Sequence, residues 1–274
     1  MLFLSAADIN TWIAGLLWPL TRVLGLITAA PVFGNPRIPM TVKLCLGVMV
    51  AMVIAPNVPA LPAADPLSYA GLLILVKEMI IGLAMGMAMR IVFAAVEMAG
   101  EISSLTMGLG FATFFDPMSA GRSSAIAQFL ALVATMAFLA VNAHLVLIEV
   151  LAESFITLPV SAQPFVGGPF KQLADWGGKI FSAGLQLSLP VVAALLITNV
   201  ALGILTRAAP QLNLFGIGFP VTLGVGLLVL ALSLPYLSGP LQNIFLQGVE
   251  TARKLPRDWG QPAKPPGAAP RPAP

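Results

Sequence analysis

The sequence predicts an all-α integral membrane protein of kinked helices and helical hairpins, and three observations predict it. Of 274 residues, 58% are hydrophobic and 9% charged, against roughly a quarter charged in a soluble domain. Mean hydropathy is +0.94, and the apolar residues gather into long runs, several matching the ~20 residues that a helix needs to cross a hydrocarbon core. The chain also holds 24 prolines and 25 glycines, and several of them fall at the ends of these runs or inside them, where they end or kink helices.

The same composition excludes several classes of function. A net charge of +3, scattered and without aromatic interleaving, argues against nucleic acid. A single cysteine, Cys45, precludes an internal disulfide, and a single histidine, His144, precludes a histidine-based metal cluster without help from another chain. There is no G-x-x-x-x-G-K-[ST] phosphate loop. The chain is therefore expected to be no enzyme and to hold no cofactor or metal. Its N-terminus lacks a basic region ahead of the first apolar run, so that run is expected to be retained.

The first apolar segment covers residues 11–33, with Trp12 and Trp18 near one end. It contains Arg22, whose insertion costs roughly 2.5–3.5 kcal/mol, so the guanidinium should face protein or water, with snorkelling to a headgroup as the alternative. Pro31, Pro36 and Pro39 then break the chain around Arg37 and Lys43, a connection that reads as cytoplasmic by the positive-inside bias. A shorter apolar run, 44–55, leads to a proline-rich connection without Lys or Arg, which reads as the opposite side.

Residues 67–95 are expected to be one long helix with Lys77 and Glu78 in its middle. Adjacent side chains project about 100° apart, so these two should address different neighbours. Gly82 and Gly86 form a G-x-x-x-G step that admits another backbone, from this chain or a partner. Met79, Met85, Met87 and Met89 read as core filler rather than as a compliant seal. Glu97 and Glu101 share a helical face; with no histidine or metal ligand nearby, an interfacial role is preferred to proton relay.

Residues 101–122, E-I-S-S-L-T-M-G-L-G-F-A-T-F-F-D-P-M-S-A-G-R, are read as an apolar loop. Gly108, Gly110 and Gly121 weaken a helix and Asp116-Pro117 favours a turn, while Phe111, Phe114 and Phe115 are too hydrophobic for an ordinary wet connection. Irregular backbone facing lipid would leave amides unpaired, so the loop must pack on protein or line a cavity. A gate or plug and a buried re-entrant turn both satisfy this requirement.

Residues 123–148 carry no charge and are long enough for one span, with Asn142 and His144 expected to be hydrogen-bonded. A mixed connection follows to Lys179, placed opposite the Arg37 loop. Residues 180–206 form a further uncharged segment, kinked at Pro190 and bearing Asn199. After the break from Arg207 to Pro220, the last run to Val249 contains Pro235 and Pro240 and fits one kinked pass or an uneven hairpin. From Thr251 the chain is basic and proline-rich and is expected to be disordered. One pass per segment puts this basic tail outside, against the positive-inside bias. Either the last run doubles back, or these are not conventional spans.

Three stretches carry a resemblance: G-E-I-S-S-L-T-M-G-L-G-F-A-T-F-F-D-P from Gly100, F-L-A-V-N-A-H from Phe138, and L-P-V-V-A-A-L-L-I-T-N-V-A-L-G-I-L-T-R-A-A-P-Q-L-N-L-F-G-I-G-F-P from Leu189. With the order of apolar segments, they resemble the FliR/SpaR/YscT export-gate family of type III secretion over nearly the whole chain to about residue 249. The resemblance implies a channel subunit through which unfolded flagellar proteins cross the bacterial inner membrane, in the flagellar basal body, within a helical gate displaced toward the periplasm. It implies FliP and FliQ homologues as partners in one hetero-oligomer, FlhB and FlhA homologues nearby, and contact with membrane lipid.

The implied parts are FliP-like membrane helices at 1–100, a pore-plug loop at 101–122, a helix and periplasmic-side connection at 123–179, a FliQ-like hairpin at 180–250 and a tail at 251–274. The resemblance assigns the plug to Met107, Gly108, Gly110, Phe111, Phe114, Phe115, Asp116 and Pro117. Arg207 and Gln211 match the family's R-x-A-P-Q, and Asn199 would be a buried polar contact between helices. With Gly82, Gly86, Glu97 and Glu101, these form the expected subunit or helix contacts. The alternatives are the equivalent subunit of a virulence injectisome and, from another class, a proton-coupled carrier of small solutes using Lys77, Glu78, Glu97 and Glu101; no repeated halves support the carrier.

Overall fold

A computed structural model describes residues 6–59, 62, 64–111, 123–163, 169–209 and 214–260. Among these residues the structure is helical, with no strand. In chain order the helices are α1 (Ala6–Ala29), α2 (Met40–Ile54), α3 (Tyr69–Thr106), α4 (Ala125–Ala140), α5 (Ala143–Thr157), α6 (Pro169–Gly177), α7 (Lys179–Ala208), α8 (Phe219–Ser233) and α9 (Ser238–Trp259). A 3₁₀ turn, Leu234–Leu237, joins α8 to α9, and another, Leu109–Phe111, follows α3.

Helix lengths speak directly to the orientation conflict. The 38 residues of α3 measure about 57 Å at 1.5 Å per residue, nearly twice the ~30 Å of a hydrocarbon core. Gly216–Trp259 continues as one 44-residue rod, about 66 Å, so the last run does not reverse at Pro235 and Pro240. Among the described residues four helices are long and apolar enough to cross a membrane, and five if the broken pair α4 and α5 counts as one. Two of these rods are therefore longer than one hydrocarbon core requires.

The chain clusters into two compact units that interleave in sequence, whereas the division expected from the sequence is consecutive. One comprises Met1–Arg90, Leu145–Trp176 and Val249–Pro274, the other Ile91–His144 and Gly177–Gly248. In the first unit α1 and α3 cross at Gly82 and Gly86. A Cβ on Gly82 would collide with the Arg22 carbonyl oxygen, and one on Gly86 would lie 2.8 Å from the Ala30 amide nitrogen. The G-x-x-x-G step thus packs within the chain. Around it Trp18, Leu26, Ile81, Met85, Met89 and Phe155 are fully buried, so Met85 and Met89 fill core while Met79 and Met87 are exposed. In the second unit the rings of Phe93, Phe138 and Phe245 meet with centroids 5.5–5.8 Å apart.

Four expectations are corrected. Residues 101–106 continue α3 instead of entering a loop, because Ser103 and Thr106 donate their hydroxyls back to the carbonyls of Ala99 and Ile102 and need no water. The span expected at 123–148 breaks at Val141 and Asn142, where Asn142 adopts φ 56°, a left-handed conformation that asparagine tolerates. His144 Nδ1 is buried without a hydrogen-bond partner among the described residues. Residues 251–259, expected to be disordered, are helical. Val249, Ala252, Leu255 and Trp259 are buried along one face of α9, and Arg253 and Arg257 both reach Glu153 on α5.

Candidate functional site

The candidate site is the base of the phenylalanine loop, in the second unit. On its incoming side α3 ends at Thr106, and Met107 follows, fully buried. The Met107 carbonyl accepts from Thr222 Oγ1 at 3.2 Å, and its side chain fills the space above Gly226, where a Cβ would come within 2.6 Å of Met107 Cγ. Gly108 then turns the chain with φ 89°, a left-handed value that favours glycine, and Leu109–Phe111 make a 3₁₀ turn. Met107, which the resemblance assigns to the plug, is packed against Thr222 and Gly226 of α8, and Gly108, Gly110 and Phe111 follow it in the chain.

The outgoing side is tied to the same helix end. The Ser124 amide donates to Glu101 Oε1 at 2.7 Å, and Ser124 Oγ caps α4 by accepting from the Ala127 amide at 3.2 Å. Gly100 lets α4 press close, since a Cβ there would collide with Ala127. Glu101 therefore holds the loop's return, while Glu97, one turn earlier, is half-buried. Phe114, Phe115, Asp116, Pro117 and Gln211 lie outside the described residues. Arg207 is exposed in the last turn of α7. Asn199 is exposed on the same helix, so within this chain it is not the buried polar contact that was expected.

A second constellation lies in the first unit; the sequence singled out Arg22, Lys77 and Glu78 but not their partners. Arg22 is fully buried, as is Glu78, and Arg22 Nε donates to Glu78 Oε2 at 2.6 Å. Its other nitrogens donate to Ser154 Oγ at 3.0 Å and the Leu158 carbonyl at 2.9 Å, and the guanidinium carbon lies 4.1 Å from the centroid of the Phe155 ring. Arg22 thus faces protein and does not snorkel. Lys77 turns the other way, donating to Ser161 Oγ at 3.0 Å and the Gln163 carbonyl at 3.0 Å. Adjacent charges do address different neighbours. Together the two cations fasten α1, α3 and the chain that follows α5. The available signal was a buried cation and a buried acid in separate apolar segments, each requiring a partner.

No group of three or more potential metal-ligating side chains occurs among the described residues. At the loop base Glu101 and Thr222 each bind backbone, so the arrangement can act as a clamp.

The family model for bacterial export proteins, family 1, matches residues 13–248. The chain is 43% identical over 245 residues to the flagellar biosynthetic protein FliR of Pectobacterium carotovorum subsp. carotovorum, covering 89% of this chain and 94% of that protein. It is 41% identical over 245 residues to the Escherichia coli (strain K12) protein of the same name, with the same coverage. The flagellar biosynthetic protein FliR of Bacillus subtilis (strain 168) is 29% identical over 238 residues, 85% of this chain and 91% of its own length.

Proposed function

We propose a gate role for this chain, which belongs to the FliR family of bacterial export proteins: it forms part of the channel for flagellar type III export, and its phenylalanine loop closes that channel. Membership makes it a membrane-embedded flagellar export component. The finer reading is that unfolded flagellar proteins cross the inner membrane past this subunit, in a basal-body assembly displaced toward the periplasm. FliP and FliQ homologues would share the helical gate, with FlhB and FlhA homologues beside it. A FliP-like part would precede a FliQ-like one.

One observation carries the plug. Both ends of the loop are pinned to one scaffold, Met107 to Thr222 and Ser124 to Glu101, while the intervening residues include two adjacent phenylalanines. An apolar segment that begins and ends on one scaffold is suited to blocking water and ions. Rods about twice the thickness of a hydrocarbon core support a gate that extends beyond the membrane plane. The carrier reading loses support, since Glu78 is bound to Arg22 and Lys77 to Ser161 and Gln163.

Replacing Phe114 and Phe115 by alanine in the assembled gate should make resting membranes conduct small ions. Unchanged conductance in a gate that still assembles would reject the plug.

A further inference from the structure

The helix α3 is buried on most of its circumference, but one narrow strip is not. Between positions 83 and 101 the incompletely buried residues are Leu83, Met87, Arg90, Ala94, Glu97 and Glu101, with Met98 beside Glu97. Every other residue in that interval is buried. The strip advances by four, three, four, three and four residues, the heptad alternation that keeps a single seam turned toward a single neighbouring helix.

Neither lipid nor water suits this seam. Met87 is 46% exposed and Leu105, one turn beyond Glu101, is 64% exposed, so water disfavours it. Arg90 and Glu97 disfavour lipid, because a charge on a membrane helix needs protein or water opposite it. The helix itself supplies no counter-charge. The residues three and four places from Arg90 are Gly86, Met87, Phe93 and Ala94, and those beside Glu97 include no cation. Arg90 and Glu97 stand seven residues apart, about 10.5 Å along the axis, and do not meet. Among the described residues neither side chain has an ion pair or a hydrogen bond, while Glu101 is engaged by the Ser124 amide.

We infer that this strip seats one helix of a neighbouring gate subunit, which carries a carboxylate opposite Arg90 and, two turns along, a lysine or arginine opposite Glu97. The strip is one seam wide, so it takes one helix and not a broad surface. Ala94, midway between the two charges, lets the partner backbone approach closely. The guanidinium offers a carboxylate two parallel donors. Two opposite charges at a fixed separation also set register and direction, since a reversed or shifted helix brings like charges together. This inference rests on the assembly of the chain with other gate subunits and is independent of the plug, which the conductance of the Phe114 and Phe115 variants tests separately.

The test uses the full chain with the gate subunits that co-purify with it. In a C45S background, A94C should form a disulfide with single cysteines placed along one helix of a co-purifying subunit, at positions three and four residues apart. R90A should lower retention of that subunit roughly tenfold or more, the loss expected for a charge-assisted bond, and R90K should restore part of it. The exchange R90E/E97R keeps the net charge and the helix propensity but sets like charges against each other, so it should lower retention at least as far as R90A. Charges that were merely solvated would tolerate the exchange. The proposal is overturned if A94C cross-links to no partner helix, if it cross-links within its own chain, if a charged methanethiosulfonate modifies it in the assembled gate, or if R90E/E97R assembles as wild type does. A wild-type chain that retains no other subunit would reject the assembly itself, whereas an assembled gate without the disulfide rejects the seam alone.

Discussion

Removing the Arg22 guanidinium is the sharpest single perturbation the first unit offers. In R22M the side chain keeps much of its bulk, but Glu78, fully buried, loses the partner 2.6 Å away that holds its charge. The Leu158 carbonyl loses its donor, and Phe155 loses the cation above its ring. Breaking a buried pair from one side costs about 3–5 kcal/mol, because the surviving charge is left uncompensated. For a chain of this size that corresponds to a fall in the thermal midpoint on the order of 10 °C. E78M should cost a similar amount by stranding Arg22. The double variant R22M/E78M leaves no buried charge in the pair, so its deficit should shrink to about 1–3 kcal/mol, the cost of the orphaned Leu158 carbonyl. Ser154 adds little, since its hydroxyl still donates to the Leu151 carbonyl. The assay is a double-mutant cycle on the thermal midpoints of the purified assembly, read by fluorescence-detected size exclusion. Midpoints for R22M equal to wild type, or a double variant as poor as the sum of the singles, would refute the reasoning.

Other perturbations separate the two units and the tail. G82A should cost about 1–3 kcal/mol, because the added methyl meets the Arg22 main chain, which cannot yield as a flexible side chain would; a midpoint within error of wild type would show that α1 and α3 are less closely apposed. Truncation after Gly260 should leave export and midpoint unchanged. Truncation after Leu255 removes the buried Trp259 and the Arg257 contact to Glu153, and should cost about 3 kcal/mol or more; equal behaviour of the two truncations would contradict the packed α9.

Composition was enough for the all-α class, because membrane helices are the simplest way to satisfy backbone groups among so many apolar residues. It also indicated that Arg22 would avoid lipid, that Lys77 and Glu78 would diverge, and that Gly82 and Gly86 would admit a close neighbour. The pairing of Arg22 with Glu78 was not legible: partners 56 positions apart leave no local periodicity. The end of α9 was misread for a different reason. Its lysines, arginines and prolines suggest disorder by composition, while Val249, Ala252, Leu255 and Trp259 recur at three and four residues, the period of a buried helical face. Residues 101–106 were read as loop from the glycines that follow them, although serine and threonine satisfy themselves inside an apolar helix. At the candidate site, the phenylalanines and glycines marked the loop, but its clamps did not show. Thr222 and Ser124 are ordinary residues whose roles arise only when α8 and α4 come against the end of α3.

The most direct test of the gate is a cryo-EM map of this chain assembled with its FliP and FliQ homologues in the resting state. The account predicts the rings of Phe114 and Phe115 lying across the axis of a shared conduit, with Met107 and Ser124 held at its wall. Rings packed inside the chain, away from any passage, would contradict it.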